Sequence, residues 1–155
     1  MKLAIGCDEA AYRLKVIIMD HLKQAHPDIE VTDFGANEGD VVLYPDVAYA
    51  VADAVAAGTY ERAILLCGTG IGMSICANKV PGVRAAVCHD PFSTERSRKS
   101  NDAQIMCMGE RVIGTELAKT LVDIWLKCDF AGGGSAPKVA RINELEQQHI
   151  QNYHK

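Results

Sequence analysis

The sequence predicts an α/β fold in which a five-stranded parallel sheet is covered by helices on both faces. Two observations predict it. Short apolar stretches alternate along the 155 residues with longer stretches whose apolar residues recur every three or four positions, the spacing of a helix that buries one face. The short stretches are continuously apolar, which is typical of parallel strands buried on both sides.

The first half of the chain supplies three strands and three helices. Leu14, Ile18 and Leu22 recur at helical spacing in the first helix. Pro45 suits the first turn of the second helix, and Gly58 ends it. In chain order the predicted elements are a strand at Leu3–Cys7, a helix at Ala10–Ala25, a strand at Ile29–Phe34, a helix at Tyr44–Ala57, a strand at Ala63–Cys67 and a helix at Gly70–Lys79.

The second half continues the alternation. Asp90 is suited to cap the helix that follows it, and Ser135 is suited to cap the last one. Leu117, Leu121 and Trp125 share one face of the helix between them. The predicted elements are a strand at Val83–Cys88, a helix at Pro91–Ser100, a strand at Ala103–Met108, a helix at Thr115–Lys127 and a helix at Pro137–Tyr153. This last helix, about residues 136–153, is polar toward its end and is a candidate for packing on a partner subunit.

Composition and charge are those of a globular domain. Hydrophobic residues make up 48% and charged residues 23%, so we assign residues 1–155 to a single domain. A net charge of −4 without a basic cluster argues against nucleic acid or a membrane surface as partner. The longest apolar runs are well short of the roughly 18 residues of a membrane span. Asp8 interrupts the first apolar stretch too early for a signal peptide.

The cysteines and most of the histidines form no recognisable ligand motif. The six cysteines occur singly, and no histidine stands at zinc-ligand spacing from a cysteine pair. We therefore expect reduced, mostly buried thiols, no metal, and a cytoplasmic location. Four histidines are interpreted as surface or terminal residues: His21, His26, His149 and His154.

A glycine-rich segment, Cys67–Gly72, follows the third predicted strand and reads CGTGIG. Ligands bind open parallel sheets at the carboxyl ends of the strands, and this segment begins at such an end. Glycine lets backbone N–H groups approach a ligand, and together with a helix N-terminus they form a cradle for an anion. Three interpretations stay open: a tight turn without a ligand, a dinucleotide site that uses Asp90, and a cradle for a developing oxyanion.

Cys67 is the candidate reactive residue. It ends a strand at the edge of the cradle, where a helix N-terminus lowers the pKa of a thiol and increases its thiolate fraction. A thiolate there acts either as a nucleophile, which needs a histidine partner, or as a base. By position, His89 at the end of the next strand is the candidate partner. Cys7 and Cys88 also end strands, but no glycine loop follows them, so we interpret them as packing residues.

The segment around Cys67 resembles the signature of a known enzyme family. Residues 67–86 are similar to the signature of the group that contains ribose 5-phosphate isomerase B and the A and B subunits of galactose 6-phosphate isomerase. The resemblance extends over residues 1 to about 145. Further matching stretches follow in the same order: Ile5-Gly6-Cys7-Asp8, Tyr44-Pro45-Asp46, Cys88-His89-Asp90, Asn101-Asp102-Ala103 and Gly109-Glu110-Arg111.

This resemblance implies a Rossmann-like three-layer sandwich and a homodimer or homotetramer with active sites at the subunit interface. It implies cofactor-free aldose–ketose isomerisation of a sugar phosphate through a cis-enediolate. Cys67 is then the base that moves a proton between C1 and C2, while Thr69 and the N–H groups of the loop hold the enediolate. The residues implied to bind substrate are Asp8, Gly68, Gly70, Ile71, Gly72, Asn101, Arg111 (to phosphate) and Lys138.

Ser100 stands where the family usually has a histidine that opens the cyclic sugar. A serine is a poor general acid–base near neutral pH, so we expect a substrate that cannot cyclise, such as a tetrose or tetrulose 4-phosphate. A pentose 5-phosphate is the alternative, with His89 taking over ring opening and Ser100 as a substrate contact.

Glu9 stands where the family usually has a phosphate-binding histidine. A carboxylate repels a phosphate, so Glu9 either turns away to pair with Arg13, or the anion lies elsewhere. The other positions considered for the anion are near Arg111, Lys138 or Arg141, and an unphosphorylated substrate is a third interpretation.

Two other functions are consistent with parts of the sequence. Loss of the family histidines at positions 9 and 100 favours a non-catalytic or partner subunit of a heteromeric isomerase, whereas the retained Cys67-Gly68-Thr69 opposes it. A nucleotide-binding module would use the glycine loop for a dinucleotide, but the third glycine comes one residue early.

Overall fold

The computed structural model describes residues 1–153 and places strands and helices in the predicted order. The strands are β1 (Lys2–Cys7), β2 (Glu30–Asp33), β3 (Arg62–Cys67), β4 (Ala85–Val87) and β5 (Ile105–Gly109). The helices are α1 (Tyr12–Ala25), α2 (Tyr44–Ala56), α3 (Ile71–Ala77), α4 (Pro91–Lys99), α5 (Thr115–Lys127) and α6 (Ala136–Tyr153). Short 3₁₀ turns precede α1 at Glu9–Ala11 and α6 at Gly133–Ser135.

The strands form one parallel sheet in the order β2-β1-β3-β5-β4. The three central strands are therefore β1, β3 and β5. Cys7 pairs with Leu66, and Cys67 pairs with Gly109, so the carboxyl ends of the central strands lie side by side. This register determines which loops meet to form a site.

Helices cover both faces of the sheet, and side chains alternate between the two layers along each central strand. On one face, Leu3, Ile64 and Met106 pack in a core together with residues of α1 and α5. On the other face, Ala4 and Leu65 pack with residues of α2 and α3. The predicted α/β class, with a five-stranded parallel sheet and a Rossmann-like three-layer architecture, is confirmed.

Several predicted bounds differ from the observed ones, and local hydrogen bonds explain why. The strand predicted at Val83–Cys88 is shorter because the N–H of Val83 turns back to Val80 and the side chain of Gln104 accepts the N–H of Arg84. The strand predicted from Ala103 starts at Ile105, because the N–H of Ala103 bonds to the carbonyl of Ser97.

The first helix also begins later than predicted. The Oδ1 atom of Asp8 accepts the N–H of Ala10 at 3.1 Å and caps a 3₁₀ turn, and α1 starts only at Tyr12. Within residues 1–153, none of the helices is both long enough and apolar enough to cross a bilayer. His154, which was expected to be a terminal residue, lies outside the described residues.

Candidate active site

A pocket of about 550 Å³ lies at the carboxyl ends of the three central strands. Most of the predicted site residues line it: Asp8, Cys67, Gly68, Thr69, Ile71, Gly72 and Arg111. A groove of about 650 Å³ lies beside α1 and β2, where Met19, Lys23 and Ile29 contribute to its lining, and it includes none of the predicted site residues. The pocket of about 550 Å³ at the strand ends is therefore the candidate active site.

Main-chain hydrogen bonds hold the loop after β3 against the end of β5. The carbonyl of Cys67 accepts the N–H of Glu110 at 3.0 Å, and the carbonyl of Gly68 accepts the N–H of Arg111 at 3.1 Å. A Cβ on Gly109 would lie only 2.5 Å from the Cα of Thr69. The two loops therefore meet backbone to backbone, with no side chain between them.

Two glycines of the loop are required by close contacts. Gly70 has φ +77°, and a Cβ there would also lie 2.9 Å from the backbone carbon of Met108. A Cβ on Gly72 would lie 2.6 Å from the ring of Tyr44. The glycines thus allow the loop to approach β5 on one side and α2 on the other.

The sulfur of Cys67 faces the loop and the pocket. The residue is 5% exposed, and its Sγ accepts the N–H of Gly70 at 3.1 Å. An N–H donated to sulfur stabilises a thiolate more than a thiol. Burial raises the pKa of Cys7 to about 11 and also raises the pKa of Cys88, which fits the interpretation of these two thiols as packing residues.

The remaining N–H groups of the loop are partly engaged within it. Thr69 is exposed, and its Oγ1 accepts the N–H of Ile71 at 3.3 Å. The Thr69 hydroxyl hydrogen is then free to be directed at an oxygen of a bound molecule. The loop therefore offers a hydroxyl donor beside the sulfur, while the N–H of Gly70 supports the sulfur itself.

Asp8, Glu9 and Arg111 bring charge to the pocket. Burial and the neighbouring Glu9 raise the pKa of Asp8, although N–H groups at the start of the 3₁₀ turn and Arg111 oppose the shift. The Arg111 side chain lies over Gly68, 3.5 to 3.6 Å from where a Cβ would be. The suggested pairing of Glu9 with Arg13 is wrong, because Arg13 Nε donates to Glu110 at 3.1 Å.

Five predicted site residues are not part of this pocket lining: Gly70, whose N–H bonds to the Cys67 sulfur, and His89, Ser100, Asn101 and Lys138. The Nε2 atom of His89 accepts the N–H of Gly109 at 2.9 Å, and burial lowers the pKa of His89. Its ring is therefore neutral, with the proton on Nδ1. Ser100 is the C-cap of α4, and the exposed Asn101 offers its backbone carbonyl to Arg84. Lys138 is exposed on α6.

Tyr44 is one of the pocket residues to which the sequence assigned no role. It begins α2, and its ring packs against Gly72. The matching stretch Tyr44-Pro45-Asp46 was a signal, but nothing in the sequence linked it to a glycine in another element. Ile75 also lines the pocket, from α3, and is 54% exposed.

Comparison with known proteins decides the family. A sequence model described as Ribose/Galactose Isomerase matches residues 3–142. The chain belongs to this family. Ribose-5-P isomerase B of Listeria innocua is 54% identical over 148 residues, which cover 96% of this chain and 99% of the relative. D-erythrulose-4-phosphate isomerase of Pectobacterium atrosepticum is 53% identical over 149 residues, covering 96% and 97% of the two chains.

A solved structure agrees with the sequence comparisons. Ribose-5-phosphate isomerase B of Clostridium thermocellum superposes with a TM-score of 0.92 at 48% identity, covering 96% of this chain and 99% of that one. The resemblance described above is therefore confirmed. This member of the Ribose/Galactose Isomerase family is an aldose–ketose isomerase of the sugar-phosphate class, as the sequence predicts.

Proposed function

We propose that this isomerase interconverts a tetrose 4-phosphate and the corresponding tetrulose 4-phosphate, with Cys67 as the base. The position of the Cys67 sulfur carries the proposal, since it lines the pocket and accepts the N–H of Gly70. The thiolate removes a proton from the carbon next to the carbonyl, so that an S–H bond forms as the C–H bond breaks. The electron pair then makes the C1–C2 double bond, and the carbonyl oxygen takes the negative charge.

The groups beside the sulfur support the second half of this step. The hydroxyl of Thr69 donates a hydrogen bond to the developing oxyanion. Preorganised donors of this kind lower the barrier by stabilising the charge that forms in the transition state. Asp8 accepts hydrogen bonds from substrate hydroxyls, and Arg111 pairs with the phosphate. A proton then passes from the C2 hydroxyl to the C1 oxygen, and return of the first proton from sulfur to C1 re-forms a carbonyl at C2, completes the isomerisation and regenerates the thiolate.

The choice of a four-carbon substrate depends on the absence of a ring-opening group. A tetrose 4-phosphate cannot form a furanose ring, because its phosphate occupies the oxygen that would close it. Ser100 has no pKa near neutrality, and the Nε2 lone pair of His89 is already used by Gly109. A relative 53% identical to this chain is named for D-erythrulose 4-phosphate, which supports the same substrate class.

We also propose that two copies of the chain share each site. Among the described residues that line the pocket, Arg111 is the single cation, and the carboxylates of Asp8 and Glu9 line the same pocket. A phosphate with two negative charges needs more positive charge than this. Lys138 and Asn101 of a second copy would supply the missing cation and a hydrogen-bonding amide.

An apolar surface beside the pocket supports this arrangement. Ile71 is 55% exposed and Ile75 54% exposed on α3, and Tyr44 and Tyr49 are about 40% exposed on α2. Large apolar side chains grouped in this way are typical of a subunit interface. The polar helix α6 is proposed to pack on the partner subunit. The cytoplasmic location stays a prediction from the reduced thiols.

An activity panel tests the reaction and the substrate. Purified chain, with no other subunit present, is assayed on the four-, five- and six-carbon aldose phosphates and on the matching ketose phosphates. We expect kcat/KM to be highest for the four-carbon pair. Fast turnover of ribose 5-phosphate with none of the four-carbon pair would contradict the substrate assignment. No turnover of any substrate by the chain alone would favour the partner-subunit interpretation.

Matched cysteine variants test the base. Cys67→Ala is expected to lower kcat by about 10²–10⁴-fold, the range for loss of a positioned acid–base group, and to keep the wild-type circular dichroism spectrum. Cys76→Ala is the control, because Cys76 is a buried thiol on α3 that does not line the pocket. Equal activity of Cys67→Ala and wild type would exclude the sulfur as base.

Mixing inactive variants tests the shared site. Cys67→Ala and Lys138→Ala homodimers are unfolded together, refolded and assayed. If each site combines residues of two copies, half of the dimers are mixed and each has one intact site, so about a quarter of wild-type activity returns. No recovery, with both variants refolded and dimeric by light scattering, would refute sharing through Lys138.

A further inference from the structure

Two histidines and an aspartate meet near the amino-terminal ends of the strands, at the other end of the sheet from the candidate active site. His21 lies near the end of α1, His26 directly follows α1, and Asp123 lies on α5. The Nε2 atoms of both imidazoles are 2.7 Å from the same oxygen, Oδ1 of Asp123. These three residues, which we call the His-His-Asp cluster, correct the sequence-based interpretation of His21 and His26 as surface residues outside any motif.

The cluster has the donor set of a transition-metal site. One ligand atom from each residue lies within 4.8 Å of the other two. Imidazole nitrogen suits Zn²⁺, Cu²⁺ and Ni²⁺, and two imidazoles with one carboxylate leave a position for water on a four-coordinate zinc. The ring planes are 75° apart with centroids separated by 6.0 Å, so the two imidazoles are not stacked on each other and each presents its own Nε2 to the Asp123 oxygen.

The adjustment needed to bind an ion is small. Zinc bonds to nitrogen and oxygen are about 2.0–2.2 Å long, which places ligand atoms of a tetrahedral site about 3.3 Å apart. Each nitrogen must therefore move away from the Asp123 oxygen by about 0.6 Å, from 2.7 Å. Rotation of the side chains would achieve this, and the ion would replace the hydrogen bonds that both Nε2 atoms make to the oxygen.

Accessibility and charge also fit a cation. The side chains of both histidines are 18% exposed and that of Asp123 is 32% exposed, so an ion can enter from solvent while its ligands stay held by packing. Asp20 and Lys119 line a small pocket with His21, and Glu116 is near enough to His21 to interact with it. The ammonium of Lys119 pairs with Glu116 at 2.8 Å, so its repulsion of a cation is reduced.

We propose that the His-His-Asp cluster binds one divalent transition-metal ion per chain, with Zn²⁺ as the reference ion. The site is separate from the chemistry proposed above. His26 precedes β2, at the amino-terminal edge of the sheet, whereas Cys67 lies at the carboxyl edge. A six-residue strand such as β1 separates the two edges by roughly 20 Å. The ion would connect α1, the turn after it and α5, and so stabilise the fold without entering the reaction.

Calorimetric titration of ZnCl₂ into a chain that carries no added histidine tag tests the proposal. We expect one Zn²⁺ per chain and a higher Tm when the ion is present. His26→Gln is expected to weaken the affinity at least tenfold, and the double variant His21→Gln/His26→Gln at least 100-fold. Isomerase activity of these variants without added metal should remain that of wild type, so failure here is distinct from failure of the proposed reaction.

Two controls separate the cluster from the thiols. Cys67→Ala should bind Zn²⁺ as tightly as wild type. Co²⁺ bound to wild type should show visible d–d bands without the near-ultraviolet thiolate-to-cobalt band, and this measurement does not depend on the folding of any variant. Absence of binding by wild type, affinity within threefold of wild type in the double variant, or a thiolate-to-cobalt band would each overturn the proposal.

Discussion

Gly109 is the position at which a single methyl group should displace the proposed base. An added Cβ would lie 2.5 Å from the Cα and 2.6 Å from the carbonyl carbon of Thr69, whereas ordinary contacts begin at 3.4 Å. The loop after β3 must therefore retreat by about 0.9 Å, the difference between 3.4 and 2.5 Å. Since Cys67 pairs with Gly109 in the sheet, the sulfur and the Thr69 hydroxyl move with it.

From this displacement we expect Gly109→Ala to lower kcat by about 10²-fold, since a shift of roughly 1 Å in catalytic geometry has an effect of that size. Overpacking should lower the free energy of unfolding by about 1–3 kcal/mol, measured in urea. Gly114→Ala is the matched control, because its φ is −74° and its Cβ would meet nothing within 4 Å. A kcat for Gly109→Ala within threefold of the control would refute the reasoning.

Two further predictions concern stability. The Lys15 ammonium is buried and lies 2.8 and 2.7 Å from the carboxylate oxygens of Asp33, so Lys15→Met should lower the free energy of unfolding by about 2–3 kcal/mol. This is less than the full loss for a buried pair because Asp33 is partly exposed. Exposed Lys23→Met is the control, and equal unfolding midpoints of the two variants would contradict the prediction. Because burial lowers the pKa of His89 below its ordinary 6.5, the stability it contributes is present above pH 6.5 and is lost as the pH falls through the lower folded value. The His89→Gln variant should therefore lose less stability than wild type in urea titrations below pH 6.5, and identical pH profiles would exclude this role.

Local patterns predicted the fold class and most of the candidate pocket. Continuous apolar strands and helical spacing can be recognised within short segments of sequence. Cys67 directly precedes its glycine loop, so their proximity could be predicted without any tertiary contact. The carboxyl-end rule then brought Asp8 and Arg111 to the same edge, because it needs no knowledge of strand order. Strand ends were less accurate where a turn uses the backbone, as at Val83 and Ala103.

Features that depend on partners distant in sequence were not predicted. The insertion of β5 between β3 and β4 leaves no local signal. The contact between Tyr44 and Gly72 requires the packing of α2 on α3. Asp123 meets His21 and His26 across separations of 102 and 97 residues, so histidines without a nearby ligand pattern became a cluster only in three dimensions.

The backbone contacts between the loop after β3 and the end of β5 have a consequence for how specificity can vary. They use carbonyls, N–H groups and a missing side chain, so the location of the sulfur is insensitive to which side chains surround the pocket. An exchange at a lining position such as 9 is then expected to change which sugar is accepted while the proposed proton-transferring atom stays where it is. One scaffold can in this way serve carbon chains of different lengths by altering only its periphery.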